Sequence, residues 1–309
     1  MKKTILLNLI TCLIFAFSHQ VNSQTISNET VKKHLYTLAD DNMEGRKAGT
    51  PGIEKAAQYI EGEFKKIGLS FFEGEISYRQ NFNKKGLDLF NVIGVLEGNS
   101  KKDEFVVISA HYDHLGMKNK KKKDGIYNGA NDDASGVAAV LALAKYFKEI
   151  DTNERSIIFV AFTAEELGGV GSKYFGKTVD AESIVAGINI EMIGKEASFG
   201  PKTAWLTGFD RSDFGSIIQK NLEGSGYKLH PDPYENYQLF FRSDNASLAK
   251  LGVPAHSFST TQIDIDKDYH KVTDEAEGLD VSTITETIKA IAIGTQSIID
   301  GTDTPTRIK

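Results

Sequence analysis

Cysteine is almost missing: the 309 residues contain one, Cys12. A lone thiol near the N-terminus excludes a disulfide framework and a thiolate metal site, so neither can hold the fold together. Long apolar runs are missing too. The longest, residues 5–17, is shorter than the roughly 20 residues a spanning helix needs, so stable membrane insertion is not expected. Positive charge is in deficit, with 36 Lys and Arg against 42 Asp and Glu, which argues against nucleic acid or an anionic membrane as the main partner. Internal repeats and Pro- or Ser-rich linkers are also absent, and nothing marks an internal domain boundary.

The apolar stretch has another reading. Lys2 and Lys3 precede it, and Val21-Asn22-Ser23 offers a small-residue cleavage site before Gln24, the layout of a secretory signal peptide. Thr11 stands before Cys12 where a lipoprotein would carry Gly or Ala. The expectation is a signal peptide over 1–23, a single domain over 24–309, and a secreted or periplasmic location. Cleavage removes the one cysteine, so the core alone must stabilise the mature chain. The lysine-rich run 118–123 is expected to be a solvated loop. No feature sets an oligomeric state.

Two helices are expected to open the mature chain. In the second, Thr50 can cap, Pro51 suits the first helical position, Ile53, Ala57, Ile60, Phe64 and Ile67 recur at helical spacing, and Gly68 stops it. Alternating stretches over 75–82 and 87–96 read as antiparallel edge strands. Unbroken apolar runs follow at 105–110, 157–162 and 184–190, with a weaker one at 255–258. Between the first two lies a helix on which Val137, Val140, Leu141, Ala144 and Phe147 share a face. Such alternation predicts an α/β fold, with a mixed, mostly parallel sheet covered on both sides in three α/β/α layers. Ligands bind such sheets beyond the carboxyl ends of the strands.

Those ends carry a coherent set of residues. They read His111-Tyr112-Asp113, then Asn131-Asp132-Asp133-Ala134-Ser135-Gly136 before the helix, Glu165-Glu166-Leu167-Gly168, Glu191-Met192-Ile193-Gly194 and later Asp268-Tyr269-His270. Each alone is weak, since a lone His or a pair of acids is usually a satisfied or solvated group. Together they place several acids where water is scarce, and like charges do not converge there without a cation. Imidazole and carboxylate donors without thiolate suit zinc.

These five segments, in this order, resemble metallopeptidase family 28, the co-catalytic di-zinc aminopeptidases, which also include glutamate carboxypeptidases and are structurally akin to glutaminyl cyclases. The segment Gly45-Arg46-Lys47-Ala48-Gly49-Thr50-Pro51-Gly52 is also similar to the family, and the likeness runs to about Asp274. The resemblance implies a zinc-exopeptidase-like fold and two zinc ions, with Asp132 bridging, His111 and Glu191 completing one site, and Glu166 and His270 the other. It makes Glu165 the general base and Asp113 the residue that orients His111 through a hydrogen bond. Arg242 and Tyr269 are implied substrate contacts, and a cis peptide is implied between Asp132 and Asp133. Asn245 stands where many relatives carry His, and Glu191 where Asp is commoner. His114 is expected to leave the chain on the face opposite Asp113, Asp133 to serve the local turn, and His34, His230 and His256 to play no part. The implied activity is a secreted exopeptidase on peptides, an aminopeptidase first. A carboxypeptidase or a glutaminyl-cyclase-like transferase is the alternative on the same fold.

Overall fold

The computed structural model describes residues 26–84, 86–118 and 125–308. The expected signal peptide and most of the lysine-rich run lie outside the described residues. Helix α1 (Asn28–Leu38) starts where the Ser27 hydroxyl accepts from the Thr30 N–H at 3.2 Å, and it buries Val31, Leu35 and Leu38. Helix α2 (Pro51–Ile67) follows the expected spacing, burying Ile53, Ala57, Ile60 and Phe64, and it ends at Gly68, whose φ of 81° suits a residue without Cβ. Thr50 sits at its N-cap but does not cap. Its hydroxyl donates to the Lys47 carbonyl at 2.7 Å instead.

Strands β1 (Arg79–Lys84) and β2 (Leu87–Leu96) form an antiparallel hairpin. Only β1 lies at the edge; β2 is inside the sheet, which explains why both Val92 and Ile93 are buried. Strand β3 (Lys101–His111) leads to a small hairpin of β4 (Gly116–Met117) and β5 (Ile126–Tyr127). Then come α3 (Ser135–Ile150), β6 (Arg155–Phe162), α4 (Val170–Thr178) and β7 (Ile184–Ile190). The chain continues through β8 (Thr203–Leu206), α5 (Phe214–Asn221), β9 (Lys228–Pro231), α6 (Asn245–Ala249), β10 (Ala255–Ser259) and α7 (Val281–Ile299).

One sheet of eight strands runs β1-β2-β6-β3-β7-β10-β8-β9. Strands β6, β3, β7 and β10 are mutually parallel, flanked by antiparallel pairings of β2 with β6 and of β8 with β10. Alternate side chains of the apolar runs supply two separate cores. Val106, Ile108, Ile157 and Phe159 pack with α1, α2, α3, α5 and α7. Val107, Ile158 and Val160 pack with Phe175 of α4 and Leu248 of α6. The runs are unbroken because both faces are covered, giving the three layers expected. Burying one such Ile or Phe side chain contributes roughly 1.5–3 kcal/mol. Among the described residues no helix is long and apolar enough to cross a membrane.

Candidate active site

The four parallel strands are consecutive neighbours, so their carboxyl ends bring together segments far apart in the chain. His111 is the last residue of β3, Glu165 and Glu166 follow β6, Glu191 follows β7, and His270 lies in the long loop after β10. Asp132 comes from the short helical turn that leads into α3.

The His111 ring is buried, and its Nδ1 lies 3.1 Å from the Asp113 backbone carbonyl. A carbonyl can only accept, so Nδ1 donates to it and Nε2 is the ring atom left for the carboxylates. Nε2 lies 3.1 Å from Asp132 Oδ1 and 3.4 Å from Glu191 Oε1. The other Asp132 oxygen, Oδ2, lies 3.1 Å from His270 Nε2, which is 3.2 Å from Glu166 Oε2. Asp132 therefore sits astride two imidazole–carboxylate groups, one oxygen to each. Burial pushes its carboxyl up, but His111 and His270 hold it well below the usual carboxylate range. The same contacts raise His270 to about 10 against the effect of its own burial, through Asp132 and Glu166.

Asp113 does not hold His111 through its carboxylate, contrary to the expected arrangement. Its Oδ1 is 3.8 Å from the ring, and the backbone carbonyl makes that bond instead. The carboxylate accepts the Glu165 N–H at 2.9 Å and the Glu166 N–H at 3.4 Å, fixing the loop after β6. Burial raises Asp113 to about 7. His114 also departs from expectation. Its ring is fully buried and places Nδ1 2.8 Å from Glu166 Oε1 and 3.8 Å from Asp132 Oδ2. His114, Asp132 and Glu166 thus form a second grouping of donor atoms beside that of His111, Asp132 and Glu191. Gly129 is required here, because a Cβ would sit 2.5 Å from the His114 ring.

The loop carrying Asp132 is held from several sides. Asp274 accepts the N–H groups of Asn131 and Asp132 at 2.8 and 3.1 Å. Asp133 Oδ1 accepts from Gly136 N at 2.9 Å and from Met192 N at 3.1 Å, serving the local turn and also tying it to the end of β7. The Asp132–Asp133 peptide is cis. Arg46, completely buried, donates to the carbonyls of Leu38, Tyr112, Asn128 and Gly129, stapling the exit of β3 to the Asp132 loop. Lys195 bridges Asp266 and Asp268 at 2.6 and 2.9 Å and so anchors the His270 loop.

Glu165 and Glu166 diverge as adjacent residues should. Glu166 faces the imidazoles, whereas Glu165 lines an open cavity with Asp132, Glu191 and His270. Burial pushes the Glu165 carboxyl well above its usual range; Glu191, Asp244 and Asp113 add to this and His111 opposes it. Met192, Trp205, Leu239 and Ile263 form apolar walls, and both Arg242 and Tyr269 line the same cavity. Tyr269 stacks on His270 at 3.9 Å. His34, His230 and His256 stand away from this cluster.

The donors fit a metal. His111 Nε2, Asp132 Oδ2 and Glu166 Oε1 are buried with no hydrogen-bond partner. The four N···O separations of 3.1–3.4 Å for His111 and His270 are close to the tetrahedral edge of about 3.3 Å that metal–ligand bonds of about 2.0–2.1 Å produce. Residues 91–293, more than half of the chain, match the model of Peptidase family M28. The chain belongs to that family. Its M28 relatives include aminopeptidase YwaD of Bacillus subtilis, 27% identical over 163 residues, which are 50% of this chain and 30% of that protein. The chain spans less than a third of the length of this and the other curated relatives at the head of the comparison. Among solved structures, the zinc aminopeptidase BSAP of Bacillus subtilis shares the fold with a TM-score of 0.71 at 14% identity, over 89% of this chain and 95% of that one. The glutaminyl cyclase of Porphyromonas gingivalis does so with a TM-score of 0.70 at 17% identity, over 88% and 99%. The fold therefore does not by itself choose between hydrolysis and cyclisation.

Sequence reasoning gave His114 no place among the ligands, did not mark Asp274, and gave Arg46 no role of its own. Arg46 lies in a segment singled out as family-like, while nothing local marks Asp274 as a clamp on distant backbone.

Proposed function

We propose that the protein is a secreted zinc-dependent exopeptidase, an aminopeptidase that removes residues from the N-terminus of peptides. The observation that carries the reading is Asp132, astride two imidazole–carboxylate groups at the wall of a cavity that also holds Glu165. His111, Asp132 and Glu191 would hold one zinc ion, and Asp132, Glu166 and His270 the other. Zinc there would supply Lewis-acid polarisation of the scissile carbonyl and a nucleophile from water near neutral pH.

The chain's own residues do the rest. Glu165, a carboxyl that burial holds above its usual range, accepts a proton from the attacking water and passes it to the leaving amine. Tyr269, on the cavity wall, offers its hydroxyl to the carbonyl oxygen as charge develops there. Glu165 and Glu191, both lining the cavity, can partner a substrate ammonium, which favours the N-terminal end. Arg242, exposed and on the same wall, would meet substrate beyond it. The aminopeptidase reading agrees with the name of the Bacillus subtilis relative.

One peptide offered free, N-acetylated and C-amidated tests this, each with and without a strong chelator. An aminopeptidase ignores the acetylated form, accepts the amidated one, and stops when metal is removed. The reverse preference would make it a carboxypeptidase, and cyclisation of an N-terminal Gln without cleavage a transferase. Undiminished hydrolysis by protein shown to be metal-free would refute the zinc reading.

A further inference from the structure

His270 is held in a backbone conformation that its residue type seldom takes. Its φ is 57°, and it is the third residue of a turn closed by the Lys271 N–H donating to the Asp268 carbonyl at 2.8 Å. Turns with positive φ at that position usually place Gly or Asn there. Such a conformation persists only where the surroundings over-determine it. On the far side of the turn Asp274 is fixed, its carboxylate accepting the Asn131 and Asp132 N–H groups at 2.8 and 3.1 Å. The near side is fixed from the segment after β7. Met192, Ile193 and Gly194 each donate a backbone N–H to a side chain of the Asp132 segment: Asp133 Oδ1 at 3.1 Å, Ser135 Oγ at 3.1 Å and Asn131 Oδ1 at 2.8 Å. From this braced segment Lys195 reaches Asp266 Oδ1 and Asp268 Oδ2 at 2.6 and 2.9 Å. Asp266 Oδ1 also accepts the Asp268 N–H at 2.9 Å, and Asp268 Oδ1 accepts from the Thr273 hydroxyl at 2.7 Å. The Asp268 carboxylate thus joins Lys195 to both arms of the turn. The Asp266 side chain is 2% exposed, so water does not compete for it.

We propose that Lys195 is a positioning residue for His270, holding the turn so that the imidazole is set towards Asp132 and Glu166 before an ion arrives. The inference rests on the zinc reading above. Without Lys195 the turn keeps only its Asp274 anchor, His270 is free to leave the left-handed region, and each binding event must order it again. The segment after β7 keeps its own hydrogen bonds to Asp133, Ser135 and Asn131, so Glu191 does not move with the turn. The loss therefore falls on the group of Asp132, Glu166 and His270 and spares that of His111, Asp132 and Glu191. A partner bonded directly to a metal ligand typically sets affinity by about 10–100-fold, and Lys195 acts one link further away, which puts its effect near the low end, about 10-fold.

The test is zinc titration of the full, metal-stripped protein against a chromophoric chelator, resolving the two sites, for the unaltered protein, Lys195→Met, Lys195→Arg and the double variant Lys195→Met, Asp266→Asn. Lys195→Met should weaken one site about 10-fold, the site that His270→Ala abolishes, and leave the other alone. Lys195→Arg, whose guanidinium can donate to both carboxylates, should retain the affinity. The double variant removes the unpaired carboxylate that Lys195→Met leaves buried, and should fold even where the single variant does not. It should still be about 10-fold weak at the His270 site, because the anchor is missing. Wild-type affinity there in the double variant would show a buried charge at work instead of an anchor. That result, wild-type affinity in Lys195→Met, or equal losses at both sites would overturn this inference alone. Absence of zinc binding by the unaltered protein would overturn both it and the reading on which it rests.

Discussion

Replacing Arg46 with Met should destabilise the protein by about 3–5 kcal/mol, from lost backbone satisfaction rather than lost charge pairing. The guanidinium donates four hydrogen bonds of 2.6–2.9 Å, to Tyr112 O, Leu38 O, Asn128 O and Gly129 O, and none of them goes to a carboxylate. Met fills similar space but leaves four carbonyls without that donor, at roughly 1–1.5 kcal/mol each. Against this, an expensive buried charge disappears: burial pulls the Arg46 pKa down, and only the surrounding acids, led by Asp274 and Asp132, oppose it. The net loss is a large share of the roughly 5–15 kcal/mol that holds a domain folded, so the variant should fold but melt about 10 °C lower. Arg46→Lys, with one ammonium for four spread acceptors, should lose nearly as much. Urea unfolding of the metal-stripped proteins measures this free of ligand effects. A loss below about 1 kcal/mol, or a Lys variant as stable as wild type, would show that other donors can satisfy these carbonyls.

Glu165→Gln should lower kcat by about 10²–10⁴-fold with metal content unchanged, because the amide keeps size but cannot take a proton. Glu166→Gln should lose metal instead, and the reverse pattern would show that the two roles were exchanged. Stability should also fall in acid through His34 and His256. Burial lowers both to about 4, from 6.5 in the unfolded chain. Their contribution is therefore intact above pH 6.5 and is lost as pH falls towards 4, by at most about 3 kcal/mol each. Urea midpoints from pH 7 to 4 should flatten in the His34→Gln, His256→Gln double variant, and an unchanged slope would refute the assignment.

The parallel core was legible because strands buried on both faces leave a signal that needs no partner to be read, as at 105–110 and 157–162. The candidate metal cluster was legible because its members stand at the ends of those runs. What escaped depends on chain direction after an element stops. His114 was placed by extending the strand geometry past His111, but its buried ring packs against Glu166. The Asp113 carboxylate was given to His111 when two amides after β6 lay closer. Strands β8 and β9 went unread because four-residue strands carry too little pattern, and Thr50 found a nearer acceptor than the helix it precedes.

The order β6-β3-β7-β10 has a consequence for how the molecule reaches its working state. Each of these strands, or the loop that follows it, carries a candidate donor, and the chain between His111 and His270 includes most of the α/β core. No partly folded intermediate with one of these strands undocked can hold both donor groups complete. Closing such long-range parallel pairings is the slow part of folding an α/β chain, so an ion bound there would be taken up after it rather than guide it. Once an ion is held, lifting any of the four strands out of the sheet requires releasing it. Ligation there would thereby convert local opening at this end into a cooperative event, and would lengthen the lifetime of the folded state as well as serve chemistry.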